Sequence, residues 1–330
     1  MHRRTLWQAA LGLPSLAWAQ AGSATLGVGP GQRFARIADA LHQARDGDTV
    51  AIASGDYRGD VAVLLHRRLR IVGIGDRAPR LIADGRHAEG KAIWVLRDGD
   101  FQIENLHFEG ARVPDRNGAG IRLEHGRLRL RGCSFRDNQN GLLTGNHGEA
   151  ELDIEDCEFS DAPVQSGSLP HLLYVGRIGR FTLRHSRFAN GFEGHLVKSR
   201  ARQSLIEHNR LDDGRDGRSS YVLDLPNGGE VRLAHNRLGQ GPQTQNPVML
   251  AYGAEADGGR AWPGSRLLLE HNVFVNRLGA RGVPVRVWTE RLPPGTPVAS
   301  HGNQWLGGGR IELGHGASSQ DDRAGPLPPD

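Results

Sequence analysis

Eight segments of this chain repeat one short pattern: two apolar residues in alternation, a two-residue gap, a small residue or Asn, one further position and a closing apolar residue. Phe101, Ile103, Leu106 and Phe108 make one copy. Leu128, Leu130, Cys133 and Phe135 make the next, followed by Leu152, Ile154, Cys157 and Phe159 and by Phe181, Leu183, Ser186 and Phe188. Asn then takes the small position: Ile206, Asn209, Leu211; Val231, Leu233, Asn236, Leu238; Leu267, Leu269, Asn272, Phe274; and a weaker Val298, Asn303, Trp305. The closing residues stand 23 to 36 positions apart. A period in that range belongs to solenoids and propellers. Within each copy the alternation is that of a strand with one buried face. Gly, Asn and Asp separate the strands, and no copy holds a helical stretch, which excludes alternating βαβ units. Copies that vary in length yet keep register favour a solenoid over a propeller or sandwich. The expected fold is all-β, a right-handed parallel β-helix in which each coil buries its face only by stacking on its neighbours. Asn209, Asn236, Asn272 and Asn303 should form a column at one turn, bonding from coil to coil and taking the αL conformation.

A second strand aligns in each coil: 120–124, 142–146, 171–176, 195–200, 221–226 and 248–253. With Ile121, Leu143, Leu173, Val197, Leu223 and Leu250 inward, the outward column reads Arg122, Thr144, Tyr174, Lys198, Asp224, Ala251. Adjacent coils lie about 4.8 Å apart, so Tyr174, Lys198 and Asp224 should be direct neighbours. Lys198 stands out for scarcity: Lys and Arg total 41, and only Lys91 and Lys198 are lysines.

Around this repeat the chain divides simply. His2, Arg3 and Arg4 precede an apolar run, Leu6 to Trp18, and a small-residue cleavage site near Ala19 or Ala21. Residues 1–21 read as a secretion signal, too short to span a membrane, which implies a periplasmic or secreted protein. The formal charge of +4 is too small to argue for nucleic acid, and basic and acidic residues interleave. Phe34, Ile37, Ala38, Leu41 and Ala44 fall at helical spacing and read as a short helix capping the solenoid. The β-helix domain is expected over 22–312, and 313–330, rich in Gly, Ser, Asp and Pro, as a disordered tail. No further domain boundary appears, and a monomer is expected. Cys133 and Cys157 occupy one inward place in consecutive coils. Either a disulfide or a pair of buried thiols fits that spacing.

The helix, the stretch DGDTVAIASGDY (46–57) and LRIVGIG (69–75) resemble the opening of exported right-handed β-helix proteins of the pectin-lyase-like superfamily, and the likeness extends over about 25–312. It implies a groove along the outer columns and action on acidic polysaccharides by β-elimination, hydrolysis or epimerisation. GHLVKSRA (194–201) with IEHNRL (206–211) is similar to the lysine coil of alginate and chondroitin lyase-type β-helices, which use a Lys base and an Arg on a neighbouring coil. The coil Tyr221–Asn227 departs from that pattern: it offers Asp224 and no arginine. The Asp-Pro-His-Asp of alginate epimerases and the polygalacturonase and pectate lyase elements are absent.

Elimination at a uronic acid needs a base for the C5 proton, a cation on the carboxylate and an acid for the leaving oxygen. A Lys among cations has a lowered pKa and can act as base. The expected catalytic set is Lys198 as base, Arg200 as cation, and Tyr174 and His195 (or His171) as proton donors, with Asp224, His171, Arg122 and Glu124 binding substrate. Ca²⁺ is a candidate ligand of Asp224, and no metal site is assigned. Asp212, Asp213 and Asp216 read as an acidic turn, and His185, His208, His235 and His271 as solvated turn residues. Trp94 or Trp288 could stack on sugars or serve the core. The segments 212–220 and 254–264 read as loops walling a groove. A glycosidase needs two carboxylates about 5–10 Å apart, and Asp224 and Glu124 are too distant. The alternative to a lyase is a non-catalytic β-helix that binds glycan or supports a periplasmic assembly.

Overall fold

The structure, a computed structural model, describes residues 23–327 apart from 166 and 168. The expected secretion signal, residues 1–21, lies outside the described residues. Three parallel sheets run the length of the described chain, with twelve, eleven and ten strands. We call these sheets 1, 2 and 3. One coil runs from sheet 3 (His171–Val175) to sheet 1 (Arg180–Arg184) to sheet 2 (Arg187–Ala189), and the next coil begins at Val197–Ser199. Every strand pairs with its equivalent one coil away, as a solenoid requires.

The repeated pattern is the corner between sheets 1 and 2. The two alternating apolar residues lie on sheet 1 facing in, and the closing one lies on sheet 2. Its rings stack in a file: Phe108, Phe135, Phe159 and Phe188 have centroids 5.1, 4.6 and 4.6 Å apart and nearly parallel planes. Between them the chain turns in two residues. The turn's first residue carries the positive φ: His185 (50°), His208 (57°), His235 (56°) and His271 (51°). This corrects the expectation that the asparagines would be left-handed. The His residues make the turn and stack outside, 4.9–5.2 Å apart. The asparagines point inward with ordinary φ.

Pointing inward, they form a ladder. Backbone N–H groups of Asn209, Asn236 and Asn272 donate to the Oδ1 of the next coil's Asn at 2.9, 2.9 and 2.8 Å. Each Nδ2 donates back to a carbonyl of the preceding coil, as Asn236 does to Ile206 at 2.8 Å. The ladder runs beyond the amides. Ser186 N–H donates to Asn209 Oδ1, Cys157 N–H to Ser186 Oγ and Cys133 N–H to Cys157 Sγ. Cys133 and Cys157 are free thiols, and their place in this ladder gives the sulfurs a structural use as buried hydrogen-bonding groups.

The helix Ile37–Gln43 packs on the first strands of sheets 1 and 3 through Ile37, Ala40 and Leu41. The Asp60 carboxylate accepts from Ile37 N–H (2.6 Å) and Ala38 N–H (2.9 Å) at its start. At the other end, Ser318–Gln320 pairs with sheet 1 and Arg323–Gly325 with sheet 2. The coil therefore continues past 312, where the sequence reading ended it. Asp322 explains the difference: its carboxylate accepts from Asn303 N–H at 2.7 Å and closes the ladder, a role its Gly/Ser/Asp-rich surroundings disguise.

Candidate functional site on the outer face of sheet 3

Register on sheet 3 aligns Arg122, Leu143, Tyr174, Lys198, Asp224, Ala251, Arg286 and Glu312 in one outward file. The expected file is corrected at one position. Leu142 pairs with Ile121 and faces in, so Leu143 faces out and Thr144 does not. Two adjacent leucines allow either alternation. Outward burial against Val95 and Ala119 selects this one.

Tyr174, Lys198 and Asp224 are consecutive, as the spacing predicted, and side chains from the flanking turns complete a cluster. Lys198 is only 7% exposed. Its ammonium lies 2.9 Å from Asp224 Oδ2 and 2.9 Å from Glu255 Oε1. Arg200 faces the same way. It donates through Nε to the Tyr174 hydroxyl (2.9 Å), through Nη1 to Asn227 Oδ1 (2.7 Å) and through Nη2 to Glu255 Oε2 (2.7 Å). The Glu255 carboxylate thus bridges the two cations, one oxygen on each.

These partners set the charge states. Burial pulls the Lys198 ammonium down, but Asp224 and Glu255 outweigh it and hold the group above its ordinary value. The free-base lysine expected from a run of cations is therefore not what the fold builds. Burial likewise pushes the Asp224 carboxyl up, and His195 and Lys198 more than offset this, holding it below the usual carboxylate value. Glu255 is lowered in the same way by Lys198 and Arg200. A Ca²⁺ ion does not fit at Asp224, because an ammonium and an imidazole N–H already face its Oδ2. Asp224 Oδ1 is buried without a partner.

The histidines lie beneath this cluster. His195 Nδ1 accepts from Tyr221 N–H at 3.3 Å, so its ring proton sits on Nε2 and points at Asp224 Oδ2, 3.3 Å away. His195 was expected to protonate a substrate; it is 6% exposed, and the polar group its Nε2 faces is the Asp224 carboxylate. His171 accepts from His195 N–H at 3.0 Å, and burial, with His195 and Lys198 nearby, holds it well below the usual imidazole value. Arg122 and Glu124 are not part of the cluster. Leu143 separates Arg122 from Tyr174, and Glu124 is bound to Lys91 (2.7 Å) and Arg122 (3.4 Å). Trp94 is a core residue packed edge-on against Phe108. Trp288 lies two residues beyond Arg286, whose guanidinium covers its ring at 4.8 Å. Asp212 is tied to Arg277 at 2.9 Å, and Asp213 caps Gly191 N–H at 2.7 Å.

Sequence reasoning missed Glu255, Asn227 and Trp262. Glu255 and Trp262 belong to the segment read as a groove wall, which folds over the sheet. Glu255 N–H donates to Pro226 O (2.8 Å), Asn227 Nδ2 donates to Glu255 O (3.2 Å), Trp262 Nε1 donates to Arg200 O (3.0 Å) and Arg177 lies over the Trp262 ring at 4.1 Å. A separate hollow of 670 Å³ lies on the outer face of sheet 1, lined by Thr182, Leu205, Leu268 and Pro297. Its rim residues Arg232 and Arg266 are paired with Glu207, Glu270 and Glu230.

Among solved structures, an alginate lyase from Paenibacillus sp. str. FPU-7 superposes with a TM-score of 0.54 at 14% identity, covering 89% of this chain and 99% of that one. This chain shares that protein's parallel β-helix fold. A pectin methylesterase from Aspergillus niger (TM-score 0.39, 12% identity, 92% and 86% covered) and a surface adhesin of Streptococcus pneumoniae (0.40, 12%, 88% and 87%) align more loosely. No protein-family model and no curated protein sequence matches the chain. At these identities the likeness establishes the β-helix and leaves the chemistry to the site. Among the described residues, no helix is long and apolar enough to cross a membrane.

Proposed function

We propose that this β-helix is an exported polysaccharide lyase that holds a uronic-acid polymer along the outer face of sheet 3 and cleaves it by β-elimination. The observation that carries the reading is the carboxylate held between Lys198 and Arg200 beside the Tyr174 hydroxyl. Elimination requires a carboxylate neutralised next to a proton acceptor and a proton donor. In this reading the Arg200 guanidinium neutralises the uronate, making the C5 proton more acidic. Tyr174, acting as its phenolate with Arg200 Nε–H on its oxygen, takes that proton. Lys198, kept charged by Asp224, donates a proton to the leaving oxygen. The C5–H and C4–O bonds break and a C4=C5 double bond forms. Tyr174 and Lys198 thereby exchange the roles the sequence suggested. His195 and Asp224 position the lysine, and the N-terminal helix serves as the cap of the solenoid.

The test is absorbance near 235 nm with alginates, pectates and glycosaminoglycans. A rise is expected that Tyr174→Phe reduces by ~10²–10⁴ while the fold is retained. No rise on any polymer that the protein nonetheless binds would replace the lyase with a glycan-binding β-helix.

A further inference from the structure

Glu255 is set apart from the rest of the cluster by how it is held. Its backbone is fastened on both sides, through Pro226 O and Asn227 Nδ2, and Ala256 beside it is buried. Its side chain is 41% exposed, whereas those of Lys198 and Asp224 are 9% and 2% exposed. The carboxylate can therefore rotate to solvent without moving the loop. With Glu255 in place the four charges of Lys198, Arg200, Asp224 and Glu255 cancel. With it rotated out, one positive charge remains, and two donors that each bonded one carboxylate oxygen face the opening.

We propose that Lys198 Nζ and Arg200 Nη2 form an exchangeable carboxylate-binding site, that Glu255 is its resident internal ligand, and that an incoming carboxylate binds by displacing Glu255. Resting on the lyase reading, this makes Glu255 a stand-in for the carboxylate of the bound sugar. The swap is nearly balanced: each hydrogen bond lost by Glu255 is remade by the ligand, and the net charge of the cluster is the same before and after. A tethered ligand competes at an effective concentration on the order of millimolar. Weak monocarboxylates are thus shut out, and a polymer gripped along the sheet can compete.

The experiment is calorimetric titration of the full chain with sodium glucuronate and with sodium acetate, sodium chloride serving as the ionic-strength control. Glu255→Ala is expected to bind both carboxylates at least ~10-fold more tightly than the wild type. Its melting temperature, lowered by the substitution, should rise saturably with either. Adding Arg200→Met should abolish the gain. Glu255→Gln, which keeps the side chain's length, should fall between and guards against a folding defect in the alanine variant. Equal or weaker carboxylate binding by Glu255→Ala, or a gain that survives Arg200→Met, would overturn the proposal. Because the probes are monosaccharide and acetate, the result does not depend on elimination. Tight carboxylate binding with no change at 235 nm on polymers would sink the lyase and keep the site; elimination by a Glu255→Ala protein with unchanged binding would sink the site and keep the lyase.

Discussion

Two columns run along this solenoid, one residue per coil, and they obey the same geometry to opposite ends. At the corner of sheets 1 and 2, like residues stack. Asn209, Asn236, Asn272 and Asn303 each accept from one coil and donate to another, and the column carries no charge until Asp322 closes it. On the outer face of sheet 3, unlike residues stack. Tyr174, Lys198 and Asp224 follow one another, and the column is completed by groups from loops rather than by itself. A neutral ladder satisfies every member internally and strengthens the stack. A charged file leaves buried groups dependent on particular partners, and there Asp224 Oδ1 remains without one. Repetition of one residue type marks structure in this fold, and interruption marks the place of the proposed site.

The comparison can be broken most forcefully at Lys198. Lys198→Met leaves the Asp224 carboxylate buried with only His195, and unfolding in urea should report a loss of about 3–5 kcal/mol. Lys198→Met combined with Asp224→Asn should recover much of it. A double variant no better than the single would mean that the pair itself does not set the cost. In the ladder, Asn236→Ala strands the Asn209 N–H that Asn236 Oδ1 accepts and the Ile206 carbonyl. Its cost should be about 1–3 kcal/mol, and Lys198→Met should exceed it.

Acidity sharpens the contrast. Asp224 is held below its ordinary 3.8, so its contribution is present above that pH and is lost as pH falls through the lower folded value. Lys198 is held above 10.5, so its contribution is intact below that pH and is lost as pH rises through the folded value. His171, held below 6.5, acts first on acidification. Below that pH the unfolded chain takes up a proton that the fold refuses. Melting temperature should therefore be flat between about pH 7 and 9, above which the buried Cys157 thiol, held above its ordinary value, costs stability. It should begin to fall below 6.5, and His171→Gln should shrink that first step, the remainder belonging to His107, which burial also holds down. An unchanged acid limb in the variant would place the titrating group elsewhere. The smallest effect is expected on the outside of the corner. His208→Gly relieves a left-handed φ at an exposed turn but gives up the stacking on His185 and His235 and loosens the unfolded chain, so it should stabilise by no more than about 1 kcal/mol.

Much of this was legible because stacking converts a period into contacts. The corner pattern located the sheets, the Phe file and the Asn column, and scarcity singled out Lys198. The reading failed where alternation was ambiguous, at Leu142 and Leu143, and where a turn residue's conformation depended on its neighbour, as at His208 and Asn209. It also ended the solenoid too early, because a single Asp322 carries the last rung.

By itself, the sequence determined the repeat, and with it which residues share a face one strand spacing apart; that information is local and recurs in every coil. What only the tertiary structure decided is the state of the site. Glu255 lies 57 residues from Lys198 in the chain, on the longest of the turns that lead from sheet 3 to sheet 1 among the described residues. No periodicity could announce that its carboxylate would close over two cations and keep the lysine charged.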